Sequence, residues 1–296
     1  MAGDIFAFYA SHSPMTEPGE ASALIEPLPD DVAALARVIQ GLGIYNVVAR
    51  DFYGFEPPEN RLAEIHLRRI ADRLARIMEL DDQPLQVARE PARRALQRCN
   101  SFALMLVAML RAKGVPARSR CGFAAYFNPP NFEDHWVCEY WNAREERWIL
   151  VDAQLDAIQR KALNITFNPL DVPRDRFIIA GDAWQMCRNG GADSNKFGLT
   201  HAHLQGLWFV AGNVIRDLAS LNRMEMLPWD VWGAMDMKDA ALTDERKALL
   251  DKVAALTLAG DDKFAEVRAI YESDERLRVP PVVFNALRNA PEKIAG

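Results

Sequence analysis

The sequence places Cys99 directly before an apolar run, SFALMLVAMLRA, at Ser101–Ala112. A run that is apolar on nearly every side predicts a buried helix, with Cys99 at or near its N-terminus. Unpaired backbone N–H groups and the helix dipole favour a negative charge there, and therefore a thiolate. A thiolate is a nucleophile, and the same N–H groups can hold an oxyanion. The pattern indicates a nucleophilic cysteine.

A thiolate nucleophile works with an imidazole that exchanges protons and with a carboxylate that orients the imidazole. His135 opens one predicted strand and Asp152 ends the next, with a polar link at Asn142–Glu146. In a short hairpin whose turn is centred between Ala143 and Arg144, the histidine lies directly opposite the aspartate on one face. Each residue alone has an ordinary interpretation, because strand histidines are commonly structural and aspartates commonly form turns. Together with the cysteine they predict a Cys-His-Asp arrangement.

The elements that must position these residues can be predicted from periodicity and end signals. Gly114 stands where a helix C-cap belongs, and Pro116 prevents continuation. Aromatic and β-branched residues predict strands at Ala117–Phe127, His135–Trp141 and Arg147–Val151. A strand-like start is expected at Ile5–Tyr9, and helices at Val32–Gly41, Asn60–Leu80, Leu204–Leu221, Thr243–Leu258 and Asp262–Ser273. Helices, then a helix with a run of strands, then helices indicate an α+β fold.

The segment Cys99–Asp152 resembles the transglutaminase-like superfamily, which shares the papain-type cysteine-enzyme fold. The family pattern is a Cys that heads a buried helix, a Gly-aliphatic-Pro-Ala-Arg turn, a His followed by an aromatic residue, and an Asp that ends the next strand. The matching pieces are RCNSFALMLVAMLRAKGVPAR at Arg98–Arg118, DHWVCEYW at Asp134–Trp141 and RWILVDAQLD at Arg147–Asp156.

The resemblance implies a role for each of the three residues: Cys99 is the nucleophile, His135 the acid and base, and Asp152 the orienting residue. It also implies a buried helix that carries the Cys packed on an antiparallel sheet that carries the His and the Asp. We expect this transglutaminase-like catalytic core at residues 91–160. Mostly helical regions at 1–90 and 161–296 are expected to pack on it.

The superfamily contains crosslinking transglutaminases, peptidases, a deglycosylating amidase and biosynthetic acyltransferases, so the resemblance implies a chemistry rather than a substrate. The expected activity is cysteine-dependent attack on an amide through a thioester, by hydrolysis or by small-molecule acyl transfer. The partner would be an amide- or acyl-containing peptide or small molecule, with no cofactor. The alternative is a catalytically inactive protein that keeps the fold for binding or scaffolding.

Composition excludes several other classes. Lys and Arg total 35 against 41 Asp and Glu, for a net charge of −6, and without basic runs the chain is a poor candidate for binding nucleic acid. No apolar stretch approaches the length of a membrane span, and Met1–Ala10 lacks the features of a signal peptide, so a cytoplasmic protein is expected. Four cysteines are too few for a disulfide scaffold. Cys121, Cys138 and Cys187 are expected to be ordinary small buried residues.

A few further residues are weaker candidates. Gln97 is a candidate oxyanion donor, although a solvent-facing side chain is the favoured alternative. Trp136 follows His135, and Trp184 and His201 lie in the polar segment Asp182–His203, which is expected to be a loop; all three are candidate substrate contacts. His201 and His203 would share one face of a strand, but further ligands are missing nearby, so no metal site is expected.

Overall fold

The computed structural model describes residues 2–235 and 237–294. The chain forms two compact units: one contains Gly3–Ser119 and Val137–Val172, and the other contains Arg120–Trp136 and the chain from Pro173 onward. The division predicted from the sequence, into residues 1–90, 91–160 and 161–296, stays a prediction. Within the described ranges, no helix has both the length and the apolar character that crossing a bilayer requires.

Helices and short strands alternate along most of the chain. The α-helices are α1 (Ala2–Ala10), α2 (Ser22–Ile25), α3 (Val32–Leu42), α4 (Ala49–Tyr53), α5 (Ile70–Leu80), α6 (Cys99–Ala112), α7 (Ala157–Ala162), α8 (Ala180–Arg188), α9 (Leu207–Leu221), α10 (Asp244–Leu258) and α11 (Phe264–Ser273). The strands are β1 (Gly43–Tyr45), β2 (Ala95–Gln97), β3 (Ala117–Ala124), β4 (Phe132–Asn142), β5 (Arg147–Val151), β6 (Phe177–Ile179), β7 (Phe197–Leu199), β8 (Leu204–Gln205), β9 (Asp230–Val231), β10 (Val282–Asn285) and β11 (Ala290–Lys293). This mixture confirms the predicted α+β class.

The first unit is built around α6, which is buried from Cys99 to Arg111. Helices α2, α3 and α5 pack against it. Its C-terminus is fixed by Gly114, which adopts φ 72°, and by the Val115 N–H, which donates to the Leu110 carbonyl at 2.9 Å. The predicted buried helix and its glycine C-cap are therefore confirmed.

The strands of the first unit lie before and after α6 in the sequence. Strands β1 and β2 form a parallel pair, and β2 ends two residues before α6 begins. The second half of β4 pairs with β5 in an antiparallel hairpin. In the same unit the Trp141 N–H donates to the Pro116 carbonyl at 2.9 Å, next to the start of β3.

The strand predicted at Ile5–Tyr9 is wrong, because these residues belong to α1. Ile5 and Tyr9, which lie one helical turn apart, are both buried. The ring of Phe6 lies 4.6 Å from the ring of Trp141, between centroids. A short apolar run fits a strand or a helix equally well by its pattern, so tertiary packing decides the outcome.

The helix predicted from Asn60 to Leu80 is divided in two. A 3-10 helix covers Glu59–His66, and α5 begins only at Ile70. The buried Glu64 carboxylate accepts a hydrogen bond from the Leu96 N–H at 2.7 Å, and Arg61 donates to Glu64 at 2.7 Å. The bond from Leu96 holds the 3-10 helix against β2, which explains why the 3-10 helix and α5 do not form one continuous helix.

The second unit packs helices against a mixed sheet. Its strands follow the order β6-β3-β4-β7-β8, and the pair β4–β7 is parallel, which departs from the purely antiparallel sheet that we expected. A smaller antiparallel sheet has the order β11-β10-β9. The helix α9 packs against α8, α10 and α11 and is buried from Phe209 to Leu221. The region 161–296 thus contains short strands as well as the predicted helices.

A buried ion pair links β3 to α9. Arg120 donates to Asp217 Oδ1 at 3.0 Å from Nε and to Asp217 Oδ2 at 2.8 Å from Nη2. The Cys121 N–H also donates to Oδ1 of this carboxylate, at 2.9 Å. The two side chains are 4% and 0% exposed, so each charge depends on the other for its solvation.

We predict that Asp217→Asn lowers the free energy of unfolding by roughly 3–5 kcal/mol, because it removes the buried carboxylate that is paired with the Arg120 guanidinium. The control is Glu272→Gln, which breaks the exposed pair with Arg268 and should cost less than about 1 kcal/mol. Urea unfolding of both variants measures the difference. Equal losses in the two variants would contradict this account of the core.

Candidate active site

Cys99 is the first residue of α6, as the sequence predicts, and it is 7% exposed. The residue before it, Arg98, has extended backbone angles and makes no side-chain capping bond to the helix. Its carbonyl accepts from the Ser101 N–H at 2.9 Å, which starts the helical ladder. The first turn of α6 therefore keeps the N-terminal electrostatics that favour an anion.

Polar atoms around this first turn lack partners. Oδ1 of Asn100 and Oγ of Ser101 are buried and have no hydrogen-bond partner in the described part of the chain. Leaving such a group unpaired costs about 1–3 kcal/mol, which makes each one a feature that requires an explanation. Both atoms belong to residues within two positions of Cys99.

Gln97 does not face solvent, so that alternative is wrong: the side chain is fully buried on β2. Its Nε2 donates to the sulfur of Met105 at 3.1 Å, while Oε1 has no partner among residues that the structure describes. A Cβ added at Gly43 would come within 2.5 Å of that Nε2, so the glycine makes room for the amide. The oxyanion role of Gln97 stays a prediction.

Asp152 directly follows β5 and is 1% exposed. Its N–H donates to the Pro169 carbonyl at 2.8 Å, and its Oδ1 accepts from the Gln154 N–H at 3.0 Å. The carboxylate is thereby held at the end of the strand by main-chain contacts on both sides.

The predicted register of the β4–β5 hairpin is wrong by two residues. Cys138 pairs with Val151 and Asn142 pairs with Arg147, so continuation of the ladder places Val137, and not His135, opposite Asp152. The loop has four residues because Asn142 organises it. Oδ1 of Asn142 accepts from the Arg144 N–H at 3.0 Å, and Glu146 adopts a left-handed φ of 49°.

His135 lies in β4 and is 1% exposed, in the second unit. Its ring centroid is 4.8 Å from that of Phe127, 6.0 Å from Tyr126 and 6.3 Å from Phe177, each in an edge-on arrangement. The imidazole is thus enclosed by aromatic rings. These rings exclude water and leave it little freedom to turn.

Asp134, next to the histidine, was not singled out by the sequence. It is buried, and its Oδ1 accepts from Nδ2 of Asn213 on α9 at 2.7 Å. Burial raises the pKa of Asp134 to about 6, although the bond from Asn213 and the charge of Arg216 act in the opposite direction. Arg216 and Asp217 in the middle of an otherwise apolar helix are the sequence signal that could have pointed to this buried polar cluster.

The other three cysteines differ in burial, and the buried position expected for Cys187 is wrong, because its side chain is partly exposed. Burial raises the pKa of Cys138 far above its ordinary value. Burial also raises the pKa of Cys187 to about 11, and that residue is only partly exposed on α8. Cys121 is fully buried in β3, so the core positions expected for Cys121 and Cys138 are confirmed.

The three candidate substrate contacts have different environments. Trp136 is buried and its indole N–H has no partner within the described residues. Alternation along β4 turns it to the face opposite His135. Trp184 is fully buried on α8 and donates to Asp251 at 2.7 Å, which favours a packing role, whereas His201 is exposed. Their roles in binding stay predictions.

The segment predicted as a loop at Asp182–His203 is partly helical, since α8 continues to Arg188. His201 lies in a 3-10 helix and His203 has a left-handed φ of 54°, so the expected strand that would align the two imidazoles is absent here. Across the described ranges, no group of three or more His, Cys, Asp or Glu side chains could hold a metal ion.

The comparison with protein-family models agrees with the sequence motifs. Residues 56–153, about a third of the chain, match the family model of the Transglutaminase-like superfamily, and this segment contains Cys99, His135 and Asp152. The resemblance predicted from the motifs is confirmed for this segment, and its fold is transglutaminase-like.

Among solved structures, the chain is similar to a protein from Cytophaga hutchinsonii that is provisionally described as a cysteine protease. The identity is 18% and the TM-score 0.27, over 62% of this chain and 50% of that one. The chain therefore spans about half the length of that protein. No curated protein matches the sequence.

We predict that the stability of the protein relative to its Asp134→Asn variant falls as pH rises from about 4 to 6. The native state binds the Asp134 proton more tightly than the unfolded chain does, because its pKa is raised to about 6. The carboxyl therefore leaves the free energy of unfolding unchanged below the pKa that it has in the unfolded chain. Above pH 6 it lowers the free energy of unfolding by roughly 3 kcal/mol.

Urea unfolding of both proteins at several pH values measures this change. The asparagine can still accept the bond from Asn213, so the comparison isolates the charge. A difference between the two proteins that stays constant from pH 4 to 7 would contradict the raised pKa.

Proposed function

We propose that this protein is a cysteine-dependent enzyme that attacks an amide or related acyl carbon. The observation that carries the proposal is the position of Cys99 as the first residue of a buried helix whose N-terminus has no side-chain cap. The family match over residues 56–153 supports the same chemistry. We assign Cys99 as nucleophile, His135 as general acid and base, and Asp152 as the residue that orients the imidazole.

The reaction follows from these roles. The Cys99 thiolate forms a bond to the acyl carbon, and backbone N–H groups at the start of α6 stabilise the oxyanion. The C–N bond breaks as the His135 imidazolium gives its proton to the leaving amine, which leaves a thioester and a neutral imidazole. Water then attacks the thioester and His135 takes a proton from it. The C–S bond breaks, the acid is released, and the Cys99 thiolate and the His135 imidazolium are restored. An amine in place of water would complete an acyl transfer.

We further propose that the substrate is a peptide or a small amide, and that hydrolysis or small-molecule transfer prevails over protein crosslinking. The closely packed aromatic rings around His135 support a site from which bulk water is largely excluded. Of the two outcomes such a site favours small-molecule acyl transfer, because an added amine competes with water for the thioester.

We predict that iodoacetamide at pH 6 labels Cys99 selectively. The position of Cys99 at a helix N-terminus favours its reaction, whereas burial raises the pKa of Cys187 to about 11 and disfavours the reaction of that thiol. Cys99→Ala should abolish the labelling, and the matched control Cys187→Ala should retain it. Peptide mass mapping identifies the labelled residue. Undiminished labelling of the Cys99→Ala variant would remove Cys99 as the nucleophile.

We predict that p-nitrophenyl acetate gives a burst of one nitrophenolate per chain and an acetyl group on Cys99, detected in the mass of the intact protein. Added hydroxylamine should accelerate the turnover that follows, because it intercepts the thioester. With acetyl p-nitroanilide in place of the ester, His135→Gln should slow acylation by at least roughly 100-fold, because an aniline, unlike nitrophenolate, needs a proton to leave. A protein that labels at Cys99 but forms no acyl-enzyme with any ester or amide would instead be a binding protein with this fold.

A further inference from the structure

A carboxylate is buried one residue before the proposed general acid and base. Asp134 is 8% exposed, and side chains alternate along a strand, so Asp134 and His135 point to opposite faces of β4. On the Asp134 face, Asn213 of α9 donates to its Oδ1 at 2.7 Å. On the other face, the imidazole meets the rings of Phe127 and Phe177. The two groups share one short stretch of backbone.

The hydrogen bond does not require a charge. Asn213 is a neutral amide, and its oxygen in turn accepts from Nη1 of Arg216 at 3.1 Å. An asparagine at position 134 could accept the same bond at a much smaller desolvation cost. No salt bridge reaches Asp134 within the part of the chain that the structure describes. Burial of the negative charge therefore costs free energy, and packing alone does not explain why an aspartate stands at this position.

The charges that face Asp134 have a clear pattern. Arg216 from α9 and His135 from β4 both favour its ionised form, and Glu133 opposes it. Burial is the largest influence and raises the pKa to about 6, so the group is ionised at neutral pH. Arg216 is partly engaged elsewhere, since its Nη2 donates to the Asp230 carbonyl at 3.2 Å. The attraction between Asp134 and His135 is reciprocal, because each charge stabilises the other.

We infer that Asp134 is a positioning residue for His135: its buried charge, held against α9 by Asn213, favours the protonated imidazole from the opposite face of β4. The inference rests on the proposed function, in which an imidazolium donates the proton to the leaving amine. It gives the buried carboxylate a role that an asparagine could not supply. Loss of the charge should convert part of the imidazolium to the neutral form at neutral pH.

The direct test follows the His135 imidazole by NMR titration of the full chain with labelled histidine, assigned by its loss in His135→Gln. Asp134→Asn should lower the titration midpoint of His135 by about one pH unit. Asp182→Asn is the matched control, because burial also raises the pKa of that carboxyl on α8 and the residue lies outside β4. The control should leave the His135 midpoint unchanged.

The unmodified protein provides a second measurement in case Asp134→Asn fails to fold. The His135 signal should show an additional inflection near pH 6, where Asp134 takes up its proton. A single-step curve in the unmodified protein, or an unchanged midpoint in Asp134→Asn, would overturn the inference.

Neither result requires turnover, so the coupling is tested independently of whether Cys99 is the nucleophile. Alkylation of Cys99 at pH 7 then tests the consequence for the proposed chemistry. The rate should fall in Asp134→Asn and stay unchanged in Asp182→Asn. A shifted midpoint with unaltered alkylation would overturn the positioning role.

Discussion

The burial of a helix that begins at a cysteine is the constraint on which the first unit depends. Helix α6 is buried from Cys99 to Arg111, so its polar ends must be satisfied within the protein. At its C-terminus the N–H groups of Gly114 and Val115 donate to the carbonyls of Arg111 and Leu110, each at 2.9 Å. At its N-terminus the side chain of the N-cap residue, Arg98, makes no capping bond, and the amide dipoles of the first turn are directed at the cysteine. The asymmetry between the two ends is what gives the thiol its proposed chemistry.

The second unit also buries polar and charged side chains, which must be paired within the protein. Its central helix α9 is apolar on most sides, yet it carries Asn213, Arg216 and Asp217 into the interior. Asp217 is paired with Arg120 of β3, and Asn213 with Asp134 of β4, so the same helix face holds two neighbouring strands. These strands include the aromatic-walled position of His135. Buried polar groups therefore fix the strand that presents the proposed acid and base.

Much of this organisation follows from local sequence signals, and the exceptions have physical causes. The start of α6 at Cys99 and its end before Gly114 follow from composition and capping, and Thr243 caps α10 as its sequence indicates. The register of the β4–β5 hairpin does not follow from the strand pattern. The side chain of Asn142 stabilises a loop of four residues, whereas the strand pattern alone predicts a turn of two residues. Asp134 also escapes prediction, since its partner Asn213 lies 79 positions away along the chain.

The central proposal is that Cys99 is the nucleophile of this protein and that His135 is its acid and base. The most direct measurement is covalent addition of a peptide nitrile to the full chain, followed by intact mass and located by peptide mapping. One thioimidate per chain is expected, on Cys99, and His135→Gln should slow its formation by at least roughly 100-fold. Absence of any adduct, or an adduct that persists in Cys99→Ala, would contradict the proposal.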